Sequence, residues 1–514
     1  MKRFVKMISL SLALLLILST AAAMADAANN TFIYGIAGDP GNDINTVSTS
    51  SRYDLTTERV LYSPLYNYYG PDDIEFRLAE SFELSEDGKE LTAHLRQGVV
   101  WSDGEPFTAD DVVFTYEFII NTDYANGHDT FVYGDEKVTV EKIDDYTVKF
   151  TAPIYTPTLV SDLAAEHYIM PKHIYEGDET LDNNPKNATP VGTGPYILEE
   201  YKPGEFLRFK ANEQYFLGAP KIKTLIFQIV TDNNTASLAV KTGEINALFT
   251  STTEAADFAG SDVSIYAYPE GRVSYTVFNL SSSRTQDINL RKAVFYALNR
   301  EEINLGTYGS EDYFLNAYTF LPVGNAFVTD DVEHYDQNLE LAKEYLAKVE
   351  GEIPTLRIGY TANNVAQETT ALIMQQELKA AGITLELIAF EGSAMTNLLY
   401  AENDDADLYL TGYIMGDDPS SYGTLFVSTG SANFSHVKDE ELDGYFAAGS
   451  VEQDPDRRKE IYDSAQRRLA DLAVQFPFAT DQRLLVLTND IGGVEEARLI
   501  PIYFFSNLDR LYFK

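Results

Sequence analysis

Strand and helix signals alternate between residues 354 and 422, and this alternation constrains the fold more than any other feature of the chain. Three apolar segments are typical of buried strands, and they cover residues 355–360, 383–390 and 407–413. The segment between the first two has apolar residues at helical spacing and ends at Gly382, a residue type that commonly stops a helix. A second helical segment covers about 393–401. This βαβαβ pattern predicts a parallel sheet with helices on its faces, and so an α/β fold.

The loop that follows the third of these strands is the first candidate for a binding site. Ligands of open α/β sheets bind beyond the carboxyl ends of the strands. The loop after Tyr413 follows such an end, and it reads Ile414, Met415, Gly416, Asp417, Asp418, Pro419, Ser420, Ser421, Tyr422.

The N-terminus is typical of a secretory signal peptide covering residues 1–25. Three basic residues precede an apolar run at 7–18, and Ala23-Met24-Ala25 fits a cleavage site. A membrane anchor is the alternative, but the apolar run is shorter than the roughly 20 residues that a spanning helix needs. The sequence has no cysteine to carry a lipid anchor, so we expect a soluble periplasmic protein.

Length and charge limit the class of protein. The 514 residues suffice for two large domains or three small ones. The net charge of −41 opposes binding to nucleic acid or to an anionic membrane. The acidity is explained either by solubility outside the cell or by cationic ligands.

Catalytic signatures are absent from the sequence. It has no G-x-S-x-G elbow, H-E-x-x-H motif, Walker loop or G-x-G-x-x-G fingerprint. The six histidines are scattered, and carboxylate pairs such as Asp417-Asp418 are too common here to indicate acid–base chemistry. We therefore predict no catalytic residue, metal site or cofactor, and no enzymatic activity.

Several motifs in order along the chain resemble family 5 of the extracellular solute-binding proteins, the dipeptide and oligopeptide binders. Residues 77–112 read RLAESFELSEDGKELTAHLRQGVVWSDGEPFTADDV, which is similar to the family signature. The shorter matches are G-T-G-P-Y at 192–196, the helix at 290–300, the G-D-D-P loop at 416–419 and the helix at 457–466.

The resemblance implies a two-lobed, periplasmic-binding-protein-like fold of type II with a hinge between the lobes. Lobe I would comprise residues 26–268 and 482–514, with an inserted subdomain at 67–189, and lobe II would comprise 269–481. Ligand would bind between the lobes, which close around it.

The resemblance also implies which residues contact the ligand. Main chain near Ala37–Gly41 and Gly412–Met415 would pair with the ligand backbone, so the candidates include Gly38, Asp39, Gly41, Gly412, Tyr413, Ile414 and Met415. The glycines are equally explained as ordinary turn residues. Family members hold the ligand ammonium with a carboxylate after the central strand of lobe II. Here the usual spacing falls on Met415 or Gly416, so Asp417 serves only with a local shift, and solvated turn acids are the alternative. We include Asp418 and Tyr422 as candidates, although Asp418 is also placed to cap the turn that follows it.

The resemblance implies a substrate-binding component of an ABC importer, which captures an oligopeptide or dipeptide and delivers it to the permease subunits. We expect a monomer. The same fold could bind an oligosaccharide, a nickel chelate or haem, although a single tryptophan weakens the sugar case and six histidines weaken the metal case. A secreted hydrolase and a sensory protein are the alternatives from other classes.

Overall fold

The computed structural model describes residues 30–41, 43–48, 51–500 and 504–514. The predicted signal peptide, residues 1–25, lies outside the described residues. Within these ranges every helix is too short or too polar to cross a membrane.

The described residues form two compact units. Unit 1 contains the described residues up to Phe249, with Phe258–Tyr266 and Leu485–Lys514, and unit 2 contains Thr250–Asp257 and Ala267–Leu484. The lobes at 26–268 with 482–514 and at 269–481, and the subdomain at 67–189, stay a prediction, because a lobe is defined by its motion and a unit by its compactness.

The strands follow the apolar segments of the chain. They are β1 (Thr31–Ile36), β2 (Tyr66–Tyr68), β3 (Ile74–Phe76), β4 (Ala79–Leu84), β5 (Glu90–Leu95), β6 (Val132–Tyr133), β7 (Glu136–Lys137), β8 (Thr139–Asp144), β9 (Thr147–Thr151), β10 (Tyr196–Lys202), β11 (Phe206–Ala211), β12 (Thr224–Ile229), β13 (Ala247–Thr250), β14 (Val263–Phe278), β15 (Phe314–Asn316), β16 (Leu356–Thr361), β17 (Leu385–Phe390), β18 (Leu408–Tyr413), β19 (Gln475–Thr488), β20 (Ile491–Gly492) and β21 (Tyr512–Phe513).

The α-helices mostly begin at a side-chain cap. They are α1 (Arg52–Leu61), α2 (Ala109–Asn121), α3 (Leu159–Asp162), α4 (Lys172–Tyr175), α5 (Asn233–Thr242), α6 (Ile288–Ala297), α7 (Arg300–Tyr308), α8 (Leu339–Leu346), α9 (Val365–Ala381), α10 (Gly392–Tyr400), α11 (Gly423–Phe426), α12 (Glu440–Gly449), α13 (Pro455–Leu472) and α14 (Val494–Ala497).

Unit 1 is built on a mixed sheet in which β1 lies parallel to both β12 and β13. The hairpin β10–β11 extends this sheet through antiparallel pairing of β11 with β12. A separate antiparallel sheet has the order β4-β5-β9-β8. Apolar residues alternate along β1, where every second side chain is buried, because each face of a strand receives alternate side chains.

The last residues of the chain complete the core of unit 1. Phe504 stacks on Tyr34 of β1, with ring centroids 3.9 Å apart. Arg77, which is buried, donates a hydrogen bond to Asn507 and another, of 3.2 Å, to the hydroxyl of Tyr215. Unit 1 is therefore assembled from segments separated by more than two hundred residues of sequence.

Unit 2 contains the predicted βαβαβ unit, and the structure confirms it. Strands β16 and β17 pair in parallel along their whole length, and β18 pairs in parallel with the other side of β16. β14 continues the sheet as the antiparallel partner of β18, with Val273 opposite Tyr413. The sequence prediction therefore succeeds for the central part of this unit.

Apolar side chains cover both faces of the unit 2 sheet. One core cluster contains Met374 and Leu378 of α9, together with Leu290 of α6. A second cluster contains Met395 of α10 and Tyr462 of α13. Helices on both faces bury a parallel sheet, as the near-continuous apolar composition of its strands requires.

Candidate ligand-binding site

The sheet of unit 2 has a topological switch point between β16 and β18. In the sheet, β16 lies between β17 and β18. The chain crosses from β16 to β17 through α9 and then returns past β16 to β18 through α10. The two helices contribute to different core clusters. The β16–β18 pairing covers only Ile358 opposite Leu408 and Gly359 opposite Tyr409, whereas β18 continues to Tyr413. The carboxyl ends of the two strands therefore separate, and ligands of α/β sheets bind in such a crevice.

An aromatic cluster stands at the end of β18. The hydroxyl of Tyr413 lies 3.2 Å from that of Tyr400, and both rings pack against Phe434, with centroids 5.5 and 5.1 Å away. Burial, followed by the contact with Tyr400, raises the pKa of Tyr413 to about 12. The cluster is therefore apolar in the body of its rings and carries two phenol hydroxyls at its edge.

The sequence prediction includes Tyr413, whose ligand contact stays a prediction, and it does not include its neighbours Tyr400 and Phe434. Tyr400 ends the crossover helix that leads into β18, so its position near the end of that helix was a usable signal. Phe434 lies in a loop after β18 and carries no local pattern that points to the strand end.

Asp418 is committed to holding the loop in place. It caps the 3-10 helix Pro419–Tyr422 by accepting from the backbone N–H of Ser420 at 2.9 Å and from its hydroxyl at 2.6 Å. Its two oxygens accept from Nη1 and Nη2 of Arg458 at 2.8 and 2.7 Å. Burial alone raises the pKa of Asp418, but hydrogen bonds and charge from Arg458 hold it below its ordinary value. A ligand contact of Asp418 stays a prediction.

Asp417 differs from Asp418 in that its side chain is exposed. Within the described part of the chain, its carboxylate has no hydrogen bond or ion pair, whereas its backbone oxygen accepts from the Asn325 amide at 2.7 Å. Desolvation by the surrounding chain, and then the charge of Asp418, raise the pKa of Asp417. The loop thus fixes the backbone at Asp417 and leaves the carboxylate free to bind a cation.

The other candidates in this loop support its backbone. Tyr422 is buried, and its hydroxyl donates to the backbone oxygen of Gly416 at 3.3 Å. Met415 is partly buried against the second core cluster, and Ile414 is half-buried. Gly416 has a φ of 77°, a left-handed conformation that glycine adopts without strain.

Gly412 makes room for an arginine of the neighbouring strand. A Cβ atom at this position would lie 2.4 Å from Cζ of Arg272. The sequence offered two explanations for this glycine, close approach of a ligand backbone or an ordinary turn. The structure adds that the guanidinium of Arg272 occupies space beside this glycine, and a ligand contact of Gly412 stays a prediction.

The candidate residues of unit 1 form a short loop after β1. Asp39 accepts from the backbone N–H of Gly41 at 2.8 Å, from that of Gly204 at 2.5 Å and from the hydroxyl of Tyr201. These bonds outweigh the effect of burial and lower the pKa of Asp39. Gly38 lies against the ring of Tyr53, where a Cβ atom would be 2.1 Å from Cε2. The loop is therefore held to the β10–β11 hairpin, and its contact with a ligand stays a prediction.

The described residues contain no group of three or more histidines, aspartates and glutamates that could hold a metal ion. What unit 2 does present at the carboxyl end of β18 is an aromatic cluster, a fixed loop and the free carboxylate of Asp417. These features make this strand end the candidate site for binding a solute.

Comparison with known proteins gives the family. Residues 73–434 match the family described as bacterial extracellular solute-binding proteins, family 5, and the chain belongs to that family. Proteins of this family bind solutes for transport and are not enzymes.

Individual relatives cover almost the whole chain. The ABC transporter substrate-binding protein CtaP from Listeria monocytogenes has a similar structure, with a TM-score of 0.90, 37% identity and coverage of 94% of this chain and 99% of that one. The oligopeptide-binding protein AppA of Bacillus subtilis is 25% identical over 85% of this chain and 84% of its own length. The dipeptide-binding protein of Escherichia coli is 26% identical over 90% and 91% of the two chains.

Proposed function

We propose that this protein is the peptide-binding component of an ABC importer and that it binds peptides with a free N-terminus. The observation that carries the proposal is the free carboxylate of Asp417, held at the carboxyl end of β18 by a loop whose backbone is fixed. Relatives named for oligopeptide and dipeptide binding support the peptide assignment.

The ammonium of a peptide requires a partner of this kind. An ammonium that leaves water without an opposite charge pays a large desolvation cost, which a carboxylate offsets. Asp417 has the opposite charge and no competing cation among the described residues, whereas Asp418 next to it is already paired with Arg458.

The backbone of the strand end supports the same ligand class. Beyond Tyr409 the side of β18 that faces β16 has no strand partner in the described residues. Unpaired N–H and C=O groups at a strand edge accept an extended peptide by strand addition, which binds the ligand main chain and tolerates many side chains. The predicted contacts of Gly412, Tyr413, Ile414 and Met415 belong to this mode of binding.

We further propose that the mature chain is a periplasmic monomer without a lipid anchor, that it delivers its ligand to the permease subunits, and that it does not bind nucleic acid. The predicted signal peptide at 1–25, the absence of cysteine and the net charge of −41 support this part of the proposal.

Titration calorimetry with alanine peptides of two to six residues tests the function. We expect the wild-type protein to bind at least one free peptide and to bind its N-acetylated form at least about 10-fold more weakly, since a hydrogen-bonded charge contributes about 1.5–3 kcal/mol. Asp417→Asn should abolish this difference.

Asp405→Asn is the matched control, because Asp405 is an exposed aspartate that precedes the same strand at its other end. It should leave both affinities unchanged. A wild-type protein that binds none of the peptides would refute the proposed function. Equal losses for free and acetylated peptides in Asp417→Asn would remove the ammonium contact.

A further inference from the structure

Arg272 on β14 places its guanidinium near the carboxyl end of β18. β14 pairs with β18, and Val273 lies opposite Tyr413, so Arg272 is one residue further along, beside the start of the candidate loop. Its guanidinium lies over Gly412, the second residue from the end of β18. The side chain is 29% exposed, which leaves it accessible to solvent and to a ligand.

One edge of this guanidinium is anchored. Nη1 donates to the Ser274 hydroxyl at 2.7 Å and to Oδ2 of Asp481 at 2.9 Å. Asp481 is itself held, because the hydroxyl of Tyr308 donates to Oδ1 at 2.7 Å and that of Ser274 to Oδ2 at 3.1 Å. These contacts fix the plane of the guanidinium before any ligand arrives.

The other edge remains available. In the described part of the chain, Nε and Nη2 of Arg272 make no hydrogen bond, and neither is fully buried. Arg458, near the same loop, differs in this respect, because its Nε donates to Gly449 and both its terminal nitrogens bind Asp418. Arg272 is thus an arginine at this strand end whose Nε–Nη2 edge is open.

The Nε–Nη2 edge of a guanidinium has the geometry of a carboxylate, which accepts two parallel hydrogen bonds from it. Asp481 and, more weakly, Glu270 are the carboxylates that act on the charge of Arg272, and Glu270 is itself paired with Arg483.

We propose that Arg272 binds a carboxylate of the bound peptide through Nε and Nη2, and so gives the site a preference for ligands that carry a negative group as well as an ammonium. This inference rests on the proposed peptide function. The carboxylate comes from the peptide C-terminus or from an acidic side chain, and both sources share the same chemistry.

The experiment uses the shortest alanine peptide that the wild-type protein binds, as the free acid and as the C-terminal amide. A second pair of amidated peptides carries one glutamate or one glutamine at an internal position. In at least one of the two pairs, we expect the wild-type protein to bind the peptide that carries the carboxylate about 10-fold to 100-fold more tightly than the other peptide of that pair. Arg272→Gln should make the members of that pair equal.

Two further variants keep the test independent of folding. Gly412→Ala keeps the arginine but displaces its guanidinium, so it should reduce the same preference. Arg284→Gln is the matched control, because Arg284 is a partly exposed arginine paired with an aspartate elsewhere in unit 2, and it should leave the preference unchanged. Melting curves show which variants are folded.

The outcomes separate this inference from the function on which it rests. A wild-type protein that binds no peptide overturns both. A wild-type protein that binds peptides but shows no preference in either pair overturns the role of Arg272 alone. The same conclusion follows if folded Arg272→Gln and Gly412→Ala variants keep the wild-type preference.

Discussion

Replacing Asp418 by asparagine should destabilise unit 2 by about 3 kcal/mol, because removing one partner of a buried ion pair costs about 3–5 kcal/mol. The side chains of Arg458 and Asp418 are 7% and 17% exposed, and both carboxylate oxygens bind the guanidinium. The lower end of the range applies, because Asp418 keeps some exposure and asparagine still caps a helix. For a domain of this size, about 2–4 °C per kcal/mol gives a fall in melting temperature of about 6–12 °C.

The assay is thermal unfolding followed by circular dichroism at neutral and at acidic pH. The pKa of Asp418 in the folded protein is lowered, so its stabilisation is complete above the unfolded pKa of about 3.9 and is lost as the pH falls through the folded value. The difference between wild type and Asp418→Asn should therefore shrink in acid.

Asp417→Asn is the control for this prediction. The pKa of Asp417 is raised in the folded protein, so its ionised form costs stability at neutral pH, and the substitution should leave the melting temperature unchanged or slightly higher. The reasoning would be refuted if Asp418→Asn melted within about 2 °C of wild type, or if Asp417→Asn fell as far.

Three other outcomes are expected. Glu377 is buried and accepts a hydrogen bond from the backbone N–H of Asn299, and burial raises its pKa to about 7, so its ionised form destabilises the fold as the pH rises through that value. Glu377→Gln should therefore raise the melting temperature more at pH 8 than at pH 5, and an equal effect at both would contradict this. Asp39→Asn should lower the stability of unit 1 by less than about 1 kcal/mol at neutral pH, and the loss should vanish in acid because the pKa of Asp39 is lowered. Mass spectrometry of protein secreted by its native host should find a chain that begins after residue 25, and an intact N-terminus would contradict the predicted signal peptide.

The parts of the fold that could be predicted depend on local periodicity. The βαβαβ unit was recognisable because the spacing of apolar residues within each short segment distinguishes a buried strand from an amphipathic helix. Gly382 also marks the end of α9, where its φ is 91°. The family motifs then gave the class of protein. The candidate loop at the end of β18 followed from a general property of parallel sheets.

The roles of individual site residues could not be predicted in the same way. Asp417 and Asp418 are adjacent and chemically identical. Their roles differ because Arg458, forty residues after Asp418, pairs with Asp418. Gly412 looks like an ordinary strand glycine in the sequence, yet Arg272, far upstream, fills the space beside it. Contacts between distant parts of the chain decide such roles, and no local pattern records them.

The C-terminal segment of unit 1 has a consequence for how the chain folds. Phe504 and Asn507 complete a core whose other members were synthesised first. A growing chain therefore carries the surface around Tyr34 uncovered until the last few residues emerge. Contacts between residues so far apart in the sequence form slowly, and the exposed apolar surface favours aggregation during that time. Deleting the final eleven residues, 504–514, should trap the whole first unit in a chaperone-dependent state, although most of its sheet would be present.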